Sequence, residues 1–428
     1  MREVMAPDEK SRASLILGEV VRQTANNYPD PRYRPHSYKN LSSHYTIAGI
    51  NPFPYEFWPT ADGVGTKPEL AERLFTESII NEGPAPEVFA GHGFDVLGMI
   101  DGDEGRFGRY MVGFAEVVDM NTAEEGVVEG LARGLKAAAD EGEVAVLNGE
   151  VAELGYRTSG YGKVRLNWNA VGVSIFNPEK LILGEKLKPG QVVVALREKS
   201  IRSNGLSKAR KILETAYLLS LGLSSKEKYL VEKLHEKGVI FDENKININD
   251  VLSDIFGHDA LEQVLPPWHK LYSDITKQLL MPSKLYGPII KEAQGKIDEP
   301  KRVKIIAAAH ITGGGIPEKT MRMLKDKGLG IDLDPVFPDP EAITSLLRLA
   351  SAFPEDVRKI VGINDFIACK EWNRGIGFIL VVETKEEAKK LIEISDQKNC
   401  EAAIAGKITD KPIINWRGHT WEYQYPSK

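Results

Sequence analysis

A short apolar run, a helix that carries its own N-terminal cap, and a second apolar run form a unit that recurs along the chain and restricts it to strands alternating with helices. The clearest copy lies near the C-terminus. Ile376 to Val382 reads as a buried strand, Thr384-x-x-Glu387 is a capping box whose helix runs through Leu391, and Ala402 to Ala405 is the next strand. An earlier copy starts at Thr122-x-x-Glu125. It places Val128, Leu131, Leu135 and Ala139 on one helical stripe and leads into a strand from Val144 to Leu147. The expected class is α/β (α+β), with mixed sheets flanked by helices.

A chain of 428 residues is too long for one hydrophobic core, so two domains are expected. The boundary falls near residue 180, where the strand Trp168 to Phe176 gives way to NPEKLILGEKLKPGQ and a new strand, Val192 to Leu196. Residues 1–45, rich in Pro, Asn and Tyr, read as a mobile arm; 46–180 form the first domain and 181–428 the second. The charged stretch 212–258 reads as an insertion without chemistry.

The formal charge of −6 comes from interspersed acids and bases, which argues against a nucleic-acid partner. The N-terminal sequence lacks the pattern of a secretory signal and no apolar stretch is long enough to cross a bilayer, so a cytoplasmic enzyme is expected. Cys369 and Cys400 match no metal-ligand spacing and read as buried thiols.

Four segments carry chemistry. In Asp62-Gly-Val-Gly-Thr-Lys67, Gly63 and Gly65 permit a tight turn close to a ligand. Thr66 and the amides ahead of a helix starting at Pro68 suit an anion, Lys67 adds charge for phosphate, and Asp62 offers an oxygen to Mg²⁺. Asn148-Gly149-Glu150-Val-Ala-Glu153 follows a strand ending at Leu147 and puts two carboxylates within reach of one cation. His310-Ile-Thr312-Gly313-Gly314-Gly315 follows the strand Val303 to Ala308 and leads into a helix opened by Pro317 and Glu318. Three consecutive glycines are useful where backbone amides crowd an anion. Ser203-Asn204-Gly205 stands before a helix near Leu206 and has the form of an N-cap. GxxxxGK[ST] and GxGxxG are absent, so a nucleotide site here is assembled from several loops.

Taken in order, these segments resemble the aminoimidazole ribonucleotide synthetase (phosphoribosylformylglycinamidine cyclo-ligase) family. Asp62 to Lys67 is similar to its DGVGTK, Phe94-Asp95 to its Asn-Asp, Asn148 to Glu153 to its GGETAE and Ser203 to Gly205 to its HSNG turn. Met281-Pro-Ser-Lys-Leu-Tyr286 matches PTRIY, His310 to Gly315 matches HITGGG, and Asn373-Arg-Gly-Ile-Gly377 the late N-x-G-x-G. The resemblance spans roughly residues 60 to 410. It implies a homodimer whose N-terminal strands build a shared barrel, and ATP-dependent closure of formylglycinamidine ribonucleotide to aminoimidazole ribonucleotide. It implies Mg²⁺ held by Asp62, Asp95 and Glu150, and catalysis by Asp62, Lys67 and His310, the histidine by virtue of a charge that changes near neutral pH. ATP would lie on Gly63, Gly65, Thr66, Lys67, Asp95, Asn148, Gly149 and Glu153. The substrate phosphate would lie on Arg202, Ser203, Asn204, Gly205, Thr312, Gly313, Gly314 and Gly315.

The chain departs from the family where Arg202 replaces a histidine, where Gly98-Met-Ile-Asp-Gly102 follows Asp95, and where Ser43 to Ile50 replaces a glycine-rich stretch. Two alternatives follow: an ATP-dependent kinase or ligase of the same superfamily acting on another phosphorylated small molecule, or a non-catalytic nucleotide-binding paralogue.

Overall fold

The computed structural model describes residues 2–4, 56–81, 86–160, 163–220, 268–295, 297 and 299–423. The expected arm (1–45, apart from 2–4), the stretch Ser43 to Ile50 and residues 221–258 of the expected insertion lie outside them. In chain order the first elements are β1 (Arg2–Val4), β2 (Glu56–Gly63), α1 (Pro68–Asn81), α2 (His92–Gly105), β3 (Tyr110–Met120), α3 (Glu125–Gly142), β4 (Ala145–Glu153) and β5 (Leu166–Phe176). They continue with β6 (Val192–Arg197), α4 (Leu206–Ser220), α5 (Trp268–Leu279), α6 (Gly287–Gln294), β7 (Ile305–His310), α7 (Gly315–Leu324), β8 (Gly330–Leu333) and α8 (Glu341–Ser351). The last are α9 (Glu355–Val361), α10 (Asp365–Glu371), β9 (Ile376–Val382), α11 (Lys385–Gln397), β10 (Ala402–Thr409), β11 (Ile413–Trp416) and β12 (His419–Glu422).

The strands form two mixed sheets. One has four strands in the order β2-β5-β3-β4; the other has eight in the order β1-β12-β11-β8-β10-β6-β9-β7. In the larger sheet the central strands are apolar, β6 from Val192 to Leu196 and β9 from Ile376 to Val382, because both faces are covered. Val193, Ala195, Ile379 and Val381 join one core, and Val194, Leu196, Phe378 and Leu380 join the core on the other side. In the smaller sheet β5 alternates buried and more exposed residues, the pattern of a sheet with one face to the core.

The core on that face draws on both halves of the chain. Leu70, Val96, Ile100, Phe114, Leu131 and Trp168 pack with Ile212 and Leu213 of α4, Leu279 of α5, Ile343 and Leu346 of α8, and Trp372. Residues 212–220 of the expected insertion therefore belong to α4, a core helix, because Ile212, Leu213 and Ala216 are buried.

Local signals set most boundaries. Thr384 caps α11 by accepting from Glu387 N at 3.2 Å, and β9 spans Ile376–Val382. Several expectations change, among them the strand expected from Val303 to Ala308, which is β7, Ile305–His310, and ends on the histidine itself. The N-cap of α3 is Glu124, whose side chain accepts from Val127 N at 2.8 Å, so Val127 and Leu131 define the buried stripe while Val128 and Leu135 flank it. α7 starts at Gly315, two residues before Pro317. β4 runs on through Asn148 and Gly149 to Glu153 because the whole segment pairs in parallel with β3. Cys369 and Cys400 are free and buried.

Candidate functional site

The Asp62–Lys67 loop leaves the end of β2, and Val64 N donates to Trp168 O of β5 at 3.0 Å, which fixes its course. Asp62 accepts from its own neighbour, Gly63 N, at 2.8 Å. Lys67 turns inward and is fully buried. Its Nζ lies 2.8 Å from Asp95 on α2 and 2.6 Å from Met281 O. Ser283 adds an Oγ donor to Asp95 at 2.6 Å, and His92 Nδ1 is 3.4 Å away. Burial lowers the Lys67 pKa; against the same desolvation, Lys67 and His92 hold the Asp95 carboxyl down to about 2. The pair is therefore ionised and internally satisfied. Lys67 does not present its charge to a phosphoryl group here, and Asp95 has no coordination position to spare for a metal.

A second buried network joins the other loops. Arg202, 1% exposed, has φ of +62°. It donates to Glu198 at 2.8 Å, to Lys284 O at 3.0 Å and to Gly98 O of α2 at 2.9 Å. Its Nη2 also lies 2.8 Å from His310 Nε2. Arginine carries only donors, so the His310 Nε2 is the acceptor and the ring proton sits on Nδ1, 3.0 Å from Asp103. Burial above all, with the Arg202 charge adding to it, lowers the His310 pKa to about 4. The expectation that its charge changes near neutral pH is overturned: His310 is a neutral bridge between Arg202 and Asp103. Glu198 also accepts from Ser200 Oγ at 3.0 Å and Tyr286 OH at 3.2 Å.

These anchors bring three of the four segments to one seam. A Cβ on Gly65 would sit 3.3 Å from Ser203 O, and one on Gly313 would sit 3.3 Å from Asn204 Oδ1. Gly205 then leads directly into α4. Thr312 O accepts from Gly315 N at 3.0 Å, Gly314 adopts φ of +88° as the N-cap of α7, and no side chain among the described residues caps that helix. The positive end of the α7 dipole is therefore met by no side-chain acceptor at its N-cap, while Gly315 N and Glu318 N turn back to Thr312 O and Gly314 O.

The fourth segment stands apart. Asn148, Gly149, Glu150 and Glu153 lie along β4, the edge of the smaller sheet, and Glu153 accepts from Ala123 N at 2.8 Å. Asp62 pairs with Ala170, Ala170 with Glu116 and Glu116 with Gly149, so Asp62 is three strand spacings, about 14 Å, from β4. Glu150 pairs with Val117, one residue further on, and so projects from the opposite face. Asp62, Asp95 and Glu150 consequently do not form a common Mg²⁺ site. Among the described residues the one group of three such donors with ligand atoms within 4.8 Å of one another is Asp365, Cys369 and His419. There the Arg374 guanidinium, 2.9 Å from Asp365 and 3.4 Å from Cys369 Sγ, already supplies the positive charge.

Glu198 and Asp103, which help hold the site together, carry no sequence signal, and Ser283 and Tyr286 show one only as members of the Met281–Tyr286 motif. Lone polar residues, whether in a loop like Glu198 or on a helix like Asp103 of α2, give no periodic signal.

Residues 274–417 match the family described as AIR synthase related protein, C-terminal domain. The phosphoribosylformylglycinamidine cyclo-ligase of Methanococcus maripaludis strain C6 is 26% identical over 400 residues, covering 92% of this chain and 90% of that protein. The enzyme of the same name from Methanocaldococcus jannaschii is 26% identical over 356 residues, covering 83% and 79%. Among solved structures, thiamine-monophosphate kinase from Stenotrophomonas maltophilia aligns with a TM-score of 0.45 at 12% identity over 97% of each chain. The chain thus carries a match to the AIR synthase-related C-terminal domain over residues 274–417 and is similar over most of its length, at 26% identity, to proteins named phosphoribosylformylglycinamidine cyclo-ligase.

Proposed function

We propose that this protein is an ATP-dependent enzyme that closes formylglycinamidine ribonucleotide to aminoimidazole ribonucleotide. The observation that carries the reading is the seam where Gly65, Ser203, Asn204 and Gly313 meet beside the uncapped start of α7. Amides at a helix start favour a phosphate, and two neighbouring glycine loops leave room for a second anionic group. In the proposed reaction the formyl amide oxygen takes the γ-phosphoryl group of ATP, an amidine nitrogen attacks that carbon, and phosphate leaves. Thr312 and the Gly313 and Gly314 amides grip one phosphate, while Gly63, Gly65 and Thr66 with Ser203 to Gly205 line the other side. Asp62, at the mouth of the loop, orients a reacting group. Lys67 and His310 act from beneath, by fixing the two loops against α2. The expected carboxylates do not fit Mg²⁺, so no step is assigned to it.

The smaller sheet supports a dimer in the same reading. Phe57, Val117 and Val171 on its outer face are 41–43% exposed, with Leu147 at the edge 59% exposed. A second copy packed there would cover an apolar surface that water otherwise meets.

The test is ADP release by the purified chain with ATP and formylglycinamidine ribonucleotide, with and without Mg²⁺, following aminoimidazole ribonucleotide in the same samples. Equal amounts of ADP and aminoimidazole ribonucleotide are expected. ADP formed with another phosphorylated acceptor but not with this one would replace the substrate assignment, and nucleotide binding without turnover would replace the enzyme assignment.

A further inference from the structure

One cleft lies outside the seam and has no role in the reaction above. Its volume is about 490 Å³, within the range that encloses a small metabolite. Its floor is the Met281–Lys284 segment, whose backbone and Ser283 hold Lys67 and Asp95. The cleft carries three cations, Arg197, Lys199 and Lys284, and three accessible carboxylates, Glu141, Asp396 and Glu401.

These charges are tied mainly to one another. Arg197 and Lys199 both bond Glu401, the latter at 3.4 Å, and Lys284 bonds Glu141 at 2.7 Å. Every one of these side chains is 23–65% exposed, and solvated pairs of this kind have little net worth, so an incoming ligand can take either partner at small cost. Asp396 has no ion-pair partner among the described residues. It lies in the last turn of α11, where the helix dipole favours a cation. A simple polyanion would meet three carboxylates here and an organic cation three basic groups. A dipolar ligand satisfies both. Met281, 39% exposed, and Phe94 offer an apolar surface for its body. Burial pushes the Cys400 thiol up to about 11, so the cleft offers binding without thiol chemistry.

We propose that this cleft is a binding site for a small dipolar metabolite, its anionic group on Lys199 and Lys284 and its amine or amidine on Asp396. The proposal is independent of the reaction assigned to the glycine loops. Isothermal titration of the full chain with L-arginine, O-phosphoethanolamine and inorganic phosphate tests it. Saturable one-to-one binding of at least one dipolar probe is expected, about tenfold tighter than phosphate. The pair Lys199→Glu with Lys284→Glu, and separately Asp396→Asn, should each weaken it by about tenfold or more, whereas Thr312→Val at the seam should leave it unchanged. Circular dichroism establishes that each variant is folded; Asp396→Asn, which breaks no ion pair, carries the test if the charge reversal does not fold. Absence of saturation by either dipolar probe below about 10 mM, phosphate binding as tightly as they do, or undiminished affinity in Asp396→Asn would overturn the proposal.

Discussion

Arg202 Nη2 donates to His310 Nε2 across 2.8 Å, and that bond sets the protonation of the most suggestive histidine in the chain. Folded His310 resists protonation until about pH 4, while an unfolded histidine takes a proton near its ordinary 6.5. Between those values the unfolded state binds more protons, so stability falls as pH drops from 6.5 to 4, by up to about 3 kcal/mol. Urea unfolding of the wild type and His310→Gln across this range checks it. The glutamine variant should show a flatter dependence; parallel curves would remove the buried, neutral assignment. The Asp95 carboxyl titrates lower, between its ordinary value and about 2, and does not confuse the measurement.

Lys67 and Asp95 are each fully buried and 2.8 Å apart. Lys67→Met strands a buried carboxylate and is expected to cost about 3–5 kcal/mol. Adding Asp95→Asn removes the stranded charge, so the double variant should be more stable than the sum of the single changes by at least about 1 kcal/mol. Chemical denaturation of the four proteins gives the coupling. Additive costs would mean that Lys67 points elsewhere in solution.

Gly314 and Gly190 share φ of +88°, yet nothing lies within 4 Å of a Cβ on Gly190, while one on Gly314 would collide with Glu318. Alanine at either position carries the strain of the left-handed region, about 1–2 kcal/mol. Only Gly314→Ala should also weaken binding of formylglycinamidine ribonucleotide, by about tenfold, since it alone shifts the start of α7. Equal losses of affinity at both positions would detach the glycine run from the substrate phosphate.

Val171→Lys places a charge in the middle of the exposed outer face of the smaller sheet, where Val171 is 41% exposed. The folded chain should sediment at half the mass of the wild type. A wild type that is itself monomeric at micromolar concentration would sink the dimer.

What the sequence discloses is whatever is settled locally. Thr384 and Glu387 meet within one turn, so the start of α11 is readable, and the unbroken apolar run of β9 announces a strand covered on both faces. Asn148-Gly149 misleads for the complementary reason. The dipeptide favours a turn on its own, and only pairing with Ala115 and Glu116 of β3, more than thirty residues earlier, keeps it extended. The candidate site divides the same way. The glycine loops are legible because their conformation needs glycine, whereas the Asp103–His310–Arg202–Glu198 chain joins residues up to 207 apart and leaves no motif. His310 was conspicuous in sequence, but its neutral state follows from burial and from Arg202, and neither can be read from adjacent residues.

The shared core under the smaller sheet has a further consequence during synthesis. Its strands are complete once Phe176 has left the ribosome, but the side chains that cover them come from α4, α5 and α8 and from Trp372. At usual elongation rates that interval lasts tens of seconds. The nascent first half must spend it with Trp168, Phe114 and Ile100 incompletely covered, which makes the growing chain a natural client for ribosome-associated chaperones and ties the timing of its folding to the arrival of its last third.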